Sequence, residues 1–331
     1  MGRPRGDCPG ASAGSYDVAV VGAGPAGCTA ALAHARAGAR VLLLEANPRA
    51  AERLAGEWLH PGGLRVLEGL GLDLAALSGF DTGRGFAVFP EDGSAPIVLP
   101  YADGARGSSV EHRTLVGMLR EAAAAHANVV YLPGARALRI EEQGVCFHRA
   151  RDAGETRVTA GLVVGADGRA SRVRAALGLP PGRVTLSRMA GLRLRGAELP
   201  IEGYGHVFLG GPGPILAYRI GADAVRLCLD VPLGAPTDSG ALWEAYAAAL
   251  PAAVRPAFRS ALREGCVAWA MNQLTPRSSY GRPGLVLVGD AIGFQHPLTA
   301  VGMTLGMADA SELARHRSFR AWRLARRRDS R

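Results

Sequence analysis

The regular pattern of the chain begins with two short apolar runs separated by a stretch of small residues. Residues 18–21 form a valine-rich run that ends at Gly22, and residues 41–44 form a second apolar run that ends at Glu45. Between them, the alanine-rich residues 26–37 stop at Gly38. Short apolar runs are typical of buried strands, and an alanine-rich stretch closed by glycine is typical of a helix. The pattern predicts a strand, helix, strand unit with a crossover.

The rest of the chain predicts two architectures. Helices are expected at 50–70, with a break at Pro61, and at 115–127, 242–262 and beyond Thr299; strands are expected at 129–132, 137–147, 157–164 and 285–288. Residues 80–101 have the pattern of a hairpin, and long alternating runs within 185–269 predict a second, antiparallel sheet. We expect an α/β protein with a discontinuous first domain, an inserted second domain, a flexible leader and a basic C-terminal tail. Their ranges are 16–80, 110–184 and 275–310 for the first, 81–109 and 185–274 for the second, 1–15 for the leader and 311–331 for the tail.

Three glycines between the first strand and helix have the spacing of a nucleotide-binding turn. Gly22 permits a tight turn, Gly24 lets the backbone approach a pyrophosphate, and Gly27 lets the helix pack on the strand. The helix start then offers free N–H groups to the anion. Glu45 lies eighteen residues beyond Gly27, where a carboxylate accepts hydrogen bonds from ribose hydroxyls. This unit predicts binding of FAD or NAD; an ordinary βαβ unit is the alternative.

A second acidic position follows the late strand at 285–288. Gly289 and Asp290 come at its carboxyl end, where the carboxylate can hold a polyol chain. The helix that begins near Thr299 can turn its positive end towards an anion.

Composition excludes several classes of protein. A 48% hydrophobic and 20% charged content is that of a globular chain. The apolar runs are far shorter than the ~20 residues that span a bilayer, and the N-terminus lacks the apolar core of a secretory signal. The five scattered cysteines favour reduced thiols and a cytoplasmic location, without a metal site.

The net charge of +9 is concentrated at the C-terminus. Residues 315–331 hold eight arginines against Asp329, and the chain contains no lysine. No nucleic-acid recognition fold accompanies this charge, so we expect no nucleic-acid partner. Leu313, Phe319, Trp322 and Leu324 lie among these arginines, a pattern compatible with peripheral contact to the inner face of an anionic membrane. A solvated tail and a truncated chain end are the alternatives.

Three motifs occur in a characteristic order: the glycines from Gly22 to Gly27, then Asp167-Gly168, then Gly289-Asp290. Together they resemble the class A flavoprotein monooxygenases, a superfamily in which all three bind FAD and the Asp-Gly pair also serves NAD(P)H. Within it, residues 56–63 (G-E-W-L-H-P-G-G) and 282–304 are similar to the squalene monooxygenases, or squalene epoxidases. The resemblance implies a Rossmann-like FAD-binding domain of the glutathione-reductase and aromatic-hydroxylase type, with an inserted, mainly antiparallel substrate domain.

The resemblance also implies individual site residues. Position by position, it places FAD contacts at Glu45, Arg53, Arg113, Val129, Asp290 and Met303. The helix start at Gly302 would approach the flavin closely, although Ala300 and Val301 stand where the family has glycines. Phe86 stands where the family has a tyrosine, and His60 where it has a glutamine.

The implied reaction is insertion of one atom of O₂ into a hydrophobic isoprenoid through a C4a-hydroperoxyflavin, with NAD(P)H as electron donor directly or through a reductase. An aromatic-ring hydroxylase, a prenyl-chain reductase and an inactive, truncated FAD-binding protein are the alternatives. His60, Phe86 and His296 are candidates to line the substrate pocket, without an assigned catalytic role. For both histidines a structural hydrogen bond is the alternative, and for Phe86, Phe208, Phe294 and Tyr218 it is plain core packing.

Overall fold

The computed structural model describes residues 12–73, 83–150, 152, 154–180, 182–316 and 318–329. Its strands, in chain order, are β1 (Ser12–Val21), β2 (Val41–Glu45), β3 (Trp58–Leu59), β4 (Gly85–Phe89), β5 (Ile97–Pro100), β6 (Ser108–Ser109), β7 (Val129–Pro133), β8 (Ala135–Glu141), β9 (Gly144–Arg149), β10 (Glu155–Gly165), β11 (Val184–Arg195), β12 (Tyr204–Phe208), β13 (Ile215–Gly221), β14 (Ala224–Pro232), β15 (Ala268–Leu274), β16 (Gly281–Arg282) and β17 (Leu285–Leu287). The α-helices are α1 (Pro25–Arg36), α2 (Pro61–Gly69), α3 (His112–Ala125), α4 (Arg172–Ala176), α5 (Ser239–Tyr246), α6 (Arg255–Arg263), α7 (Gly302–Arg315) and α8 (Phe319–Asp329).

The first sheet is built around five parallel strands in the order β17, β10, β1, β2, β7. Val21 pairs with both Gly165 and Leu44, and Gly165 pairs with Leu287. Because the strands are parallel and in this register, the residues that follow β1, β2, β10 and β17 come out at one edge of the sheet. Ligands of open α/β sheets bind outside this carboxyl edge.

Small residues let the helices pack closely on this sheet. Residues of β2 are buried throughout, as expected for a parallel strand covered on both faces. On α1, Cys28, Ala31 and Leu32 belong to the same core as β1 and β2, and α7 and α3 pack beside α1. This core fixes the helix start that faces the carboxyl edge.

The second sheet has seven strands in the order β15, β11, β14, β13, β12, β4, β5. It is antiparallel except for the pairing of β12 with β4. One face packs on α5 and α6, through residues such as Leu227 and Phe258. The opposite face carries Met189, Leu216 and Tyr218 and packs against residues of the first sheet's loops.

Several sequence predictions need correction. Residues 137–147 were expected as one strand but form most of the β8–β9 hairpin, because the chain turns at Glu142 and Gln143. The expected helix at 50–70 is a 3₁₀ turn at Pro48–Glu52, strand β3 and helix α2. The leader prediction lies mostly outside the described residues, but Ser12–Val21 already form β1. Phe80, the predicted start of the hairpin, also lies outside them.

The predicted basic tail is not a separate tail. Residues 311–315 are the last part of α7, and Phe319–Asp329 form α8, which docks on the first domain. Trp322 is fully buried, and Leu313 and Phe319 pack in or against the same core, whereas Leu324 is exposed. Most of the apolar side chains that suggested membrane contact are therefore taken up by the protein's own core. Within the described ranges, no helix has the length and apolar character needed to cross a bilayer.

Candidate functional site at the carboxyl edge of the first sheet

The glycine turn after β1 brings backbone close to backbone. Gly22 has a φ of +102°, and a Cβ atom on Gly27 would lie 1.8 Å from the Gly22 carbonyl oxygen. Gly24 caps α1 without any side-chain hydrogen bond, and a Cβ atom there would meet no protein atom within 4 Å. The first N–H groups of α1 therefore face open space, which suits an anion.

Glu45 is nearly buried at the end of β2, and its carboxylate is held by three donors. Its Oε2 accepts from the Ala23 N–H (2.9 Å) and from Arg120 Nη2 (3.2 Å), while Oε1 accepts from the Asn47 N–H (2.8 Å). Arg120 also donates to the carbonyls of Ala23 (2.9 Å) and Pro48 (2.6 Å). Glu45 is thus fixed against the glycine turn by its neighbours.

Arg120 is a site residue that the sequence analysis missed. It lies on α3 seven residues after Arg113, which is two helical turns or about 10 Å along one face. That spacing was visible in the sequence, but the packing of α3 beside α1 was not.

Two further carboxylates follow β10 and β17. Asp167 accepts a hydrogen bond from the Arg172 N–H (2.6 Å) through Oδ2, while its buried Oδ1 has no hydrogen-bond partner among the described residues. Burial raises the pKa of Asp167. Asp290 pairs with Arg169 at 3.2 Å, and Arg169 also donates to the Met271 carbonyl of β15 (3.0 Å). Arg169 therefore links this edge to the second sheet.

A separate polar cleft of about 300 Å³ is lined by Arg53 and Arg113 among other cations, and also by the carboxylates of Glu52, Glu57 and Glu111. Arg113 pairs with Glu111 at 2.7 Å, and Arg193 of β11 pairs with the other oxygen of Glu111 at 3.1 Å. Within the described part of the chain, no ion pair or hydrogen bond is seen for the Arg53 side chain. The cleft can accept an anionic group.

Val129, Gly302 and Met303, three of the implied cofactor contacts, lie at different places in the structure. Val129 is buried at the amino end of β7, where it pairs with Val41, whereas Glu45 pairs with Pro133 four residues further on. These two pairs lie about 13 Å apart along the strands, so Val129 is not a neighbour of Glu45. Gly302, by contrast, begins α7 beside Asp290: a Cβ atom there would lie 3.9 Å from Asp290 Oδ1. Met303 packs against Gly56.

His60 belongs to a directed chain of hydrogen bonds. Trp58 Nε1 donates to the Tyr101 hydroxyl (3.0 Å), which lies 2.6 Å from His60 Nδ1. Because the Thr299 carbonyl can only accept, His60 Nε2 carries the proton and donates to it (3.0 Å), so Nδ1 of the neutral ring accepts from the Tyr101 hydroxyl. Burial lowers the pKa of His60 and raises that of Tyr101 to about 12, so both stay neutral near pH 7. This arrangement gives His60 a positioning role towards the loop before α7.

His296 also has a structural partner. Its Nδ1 accepts from the Leu298 N–H (3.2 Å), so Nε2 carries the proton and contacts Asp230 Oδ2 (3.1 Å) on β14. Asp230 in turn accepts from Asn272 (3.0 Å). His296 therefore anchors the same loop to the second sheet.

A cluster of apolar side chains, called the apolar layer below, lies between the second sheet and the loop before α7. It comprises the buried or half-buried residues Leu54, Trp58, Phe86, Val88, Tyr101, Met189, Val207, Leu216, Tyr218, Ile220, Ala224, Cys228, Ala270, Leu298 and Ala300. The Phe86 ring centre lies 4.9 Å from that of Trp58 and 5.7 Å from that of His60, with the ring planes tilted. Tyr218 donates to Glu57, which is 3% exposed and receives two 2.8 Å bonds from Arg226.

Two other aromatic candidates lie outside the layer. Phe208 packs on the opposite face of the sheet, in the core with α5 and α6. Phe294 lies under the Arg169 guanidinium, 4.9 Å from its carbon to the ring centre. For Phe208, plain core packing is the correct interpretation.

The glycine turn, the uncapped start of α1 and the acidic side chains at one edge define a protein that binds a dinucleotide across a parallel sheet. Comparison with known proteins gives the family: the family described as "FAD binding domain" matches residues 15–317. The chain therefore belongs to this FAD-binding family of class A flavoprotein monooxygenases, which confirms the resemblance drawn from its motifs.

Curated relatives and solved structures agree with this assignment. The chain is 35% identical over 319 residues to "Squalene epoxidase erg1" of Aspergillus fumigatus, covering 90% of this chain and 65% of that protein. It is 34% identical over 310 residues to "Squalene epoxidase 3" of Arabidopsis thaliana, covering 88% of this chain and 58% of the relative. The chain thus spans less than two thirds of these relatives.

A solved structure from Pseudomonas aeruginosa is similar over most of the chain. It is that of pqsL, described as a probable FAD-dependent monooxygenase, with a TM-score of 0.73 and 25% identity over 95% of this chain and 87% of that one. The expected α/β FAD-binding fold is confirmed.

The residues present fit FAD. The open space at Gly24 and the uncapped start of α1 suit the pyrophosphate, and Glu45 suits a ribose. The unpartnered Oδ1 of Asp167 and the Asp290 carboxylate beside Gly302 provide acceptors further along the edge. Within the described residues, no three His, Cys, Asp or Glu side chains are grouped to hold a metal ion.

Proposed function

We propose that this protein is an FAD-dependent monooxygenase that inserts one oxygen atom from O₂ into a hydrophobic, isoprenoid-type substrate, as squalene epoxidases do. The observation that carries the proposal is the apolar layer, which includes Leu298 and Ala300 of the loop before α7. That loop precedes the helix start beside Asp290. Apolar side chains packed behind this loop favour an apolar substrate next to the cofactor.

Bound FAD would supply the activation of O₂ and the electrophilic oxygen, and the protein supplies binding, orientation and exclusion of water. The N-terminal N–H groups of α1 would bind its phosphates, and Glu45 would orient a ribose. Asp290 lies where it can accept hydrogen bonds from the polyol chain. The positive end of the 14-residue helix α7 stabilises negative charge that accumulates in front of it.

The polar groups of the apolar layer already have hydrogen-bond partners within the protein, which favours binding of apolar molecules over polar ones. Trp58, Tyr101, His60 and Tyr218 hydrogen-bond to other protein groups. A phenol or carboxylate placed there would lose hydrogen bonds to water without finding free partners, which costs free energy. An isoprenoid alkene has no such penalty, which favours it over the substrates of a polar aromatic-ring hydroxylase.

Electrons would come from NAD(P)H, directly or through a separate reductase. The sequence holds a single glycine turn of the dinucleotide type, and that turn is assigned to FAD. A donor that binds transiently, or a reductase that docks, agrees with this arrangement. Anaerobic reduction by NADPH alone separates the two routes.

The test combines spectroscopy with product analysis. The purified protein is reconstituted with FAD, reduced anaerobically with NADPH or, where NADPH alone does not reduce it, with dithionite, and mixed with ¹⁸O₂ and squalene. We expect an epoxide carrying one ¹⁸O atom, detected by mass spectrometry, and no product from a hydroxybenzoate. Flavin reoxidation that yields only H₂O₂ with squalene and other polyprenes would contradict the proposed reaction.

A glycine pair tests the cofactor site itself. Gly24→Ala adds a methyl group that meets no protein atom within 4 Å, so folding should persist while the pyrophosphate loses room. Gly117→Ala on α3 also meets no atom within 4 Å and is the matched control. We expect FAD affinity to fall at least tenfold, equivalent to about 1.4 kcal/mol, for Gly24→Ala alone. Equal affinities in the two variants would place the phosphates elsewhere.

A further inference from the structure

A fully buried carboxylate lies directly behind the Gly289-Asp290 turn. Asp309 of α7 is 0% exposed, and its Oδ2 accepts the Gly289 N–H at 3.1 Å. The same oxygen accepts from Arg277 Nη2 at 2.6 Å. Gly289 has a φ of +62°, so this N–H fixes a turn in an unusual backbone conformation.

Arg277 holds the other side of the turn. Its Nη1 donates to the carbonyls of Gly289 (3.4 Å) and Gly293 (3.3 Å), the residues on either side of the Asp290 turn. Asp309 and Arg277 together therefore constrain the backbone that presents Asp290 to the cofactor.

Helix α8 supplies the second cation of this cluster. Arg326 is 2% exposed and donates from Nε to Asp309 Oδ1 at 2.8 Å. Trp322 donates from Nε1 to the Asp309 carbonyl at 3.0 Å, and its ring packs edge-on against Tyr280 at 5.6 Å. A buried carboxylate needs its cations, because each ionic group left unpaired carries a large desolvation cost.

We propose that Arg326 is a positioning residue of the cofactor site: through Asp309, docking of α8 sets the Gly289-Asp290 turn, so FAD binding and α8 docking stabilise each other. Loss of Arg326 removes the Nε–H donor to Asp309 Oδ1 while Arg277 and the Gly289 N–H still hold Oδ2, so the carboxylate rotates away from its present geometry. Coupling between two sites is reciprocal. If docking of α8 raises the affinity for FAD by some factor, bound FAD must raise the docking equilibrium of α8 by the same factor. The inference rests on FAD as the ligand of this edge.

The first measurement compares FAD affinities. Arg326→Met removes the charge but keeps the length of the side chain, and Arg327→Met is the control because Arg327 is exposed one residue along. Fluorescence titration should show an FAD Kd about tenfold higher for Arg326→Met and unchanged for Arg327→Met. Arg326→Lys, which restores the charge, should recover part of the affinity. Wild-type affinity in a folded Arg326→Met variant would overturn the inference.

The second measurement uses the unaltered protein and holds even if the variant does not fold. Hydrogen exchange of the wild type is followed with and without saturating FAD. We expect slower exchange both in α1 and in residues 319–329, by about tenfold in the latter. Protection of α1 without protection of α8 would overturn the coupling but leave FAD binding intact. No protection in either segment would overturn FAD binding itself, and with it the proposed function.

Discussion

Removal of the Tyr101 hydroxyl group should destabilise the protein, and the hydrogen bonds of that group set the size of the loss. Tyr101→Phe deletes the oxygen that accepts from Trp58 Nε1 and donates to His60 Nδ1. Trp58 is 1% exposed, so water cannot replace the lost acceptor. A buried donor without a partner costs about 1–3 kcal/mol, and the neutral bond to His60 adds about 1 kcal/mol. We expect a loss of about 3 kcal/mol in the free energy of unfolding.

Chemical and thermal unfolding followed by circular dichroism measure this loss. For a chain of this size the expected fall in Tm is about 5 °C. Tyr131→Phe is the matched control, because Tyr131 is half-buried on β7 and no hydrogen bond of its hydroxyl is seen in the described part of the chain. In a double-mutant cycle, Trp58→Phe combined with Tyr101→Phe should cost less than the sum of the two. A Tyr101→Phe variant as stable as the Tyr131→Phe control would refute the directed chain.

Three further outcomes are expected. Glu57→Gln leaves the largely buried Arg226 without its counter-charge and should cost about 3 kcal/mol in urea unfolding. Glu202→Gln, in a more exposed pair, should cost under about 1 kcal/mol; similar losses would argue against a special role for the Glu57–Arg226 pair. Ala300 has a φ of +52°, so Ala300→Gly should relieve about 1 kcal/mol of backbone strain and leave the Tm unchanged or higher; a clear fall in Tm would contradict this. Burial lowers the pKa of His34 and His206 to about 4. Because the unfolded histidines bind protons first, stability should be full above about pH 6.5 and fall progressively towards pH 4; an His206→Gln variant should show a shallower fall, and an unchanged slope would refute the assignment.

The sequence predicted the parts of the site that depend on neighbouring residues and strand direction. The turn from Gly22 to Gly27 is local, and Glu45, Asp167 and Asp290 meet at one edge because they follow parallel strands in register. For these residues, the position in the sequence was enough to predict where the side chain lies in the fold. The same reasoning predicted the strand, helix, strand unit closely, since α1 begins at Pro25.

The remaining contacts depend on packing between distant segments. Arg120 reaches Glu45 across 75 residues, and Tyr101 reaches His60 across 41. Neither pair leaves a periodic or motif signal in a single sequence. The arginines of α8 illustrate the same limit, because an isolated basic stretch and a docked helix have the same composition. Burial of Trp322 and Arg326 distinguishes them only once the neighbouring Asp309 is in place.

The pairing of β4 with β12 has a consequence for synthesis of the chain on the ribosome. The β4–β5 hairpin is complete about 104 residues before β12, the partner of β4 in the second sheet, begins. At about 5–20 residues per second, the hairpin waits roughly 5–21 s for that strand. Ile97 and Leu99 are more than half exposed even in the finished fold. The nascent protein therefore carries an unpaired apolar hairpin for seconds, which makes this segment the point where chaperones protect it or where aggregation begins.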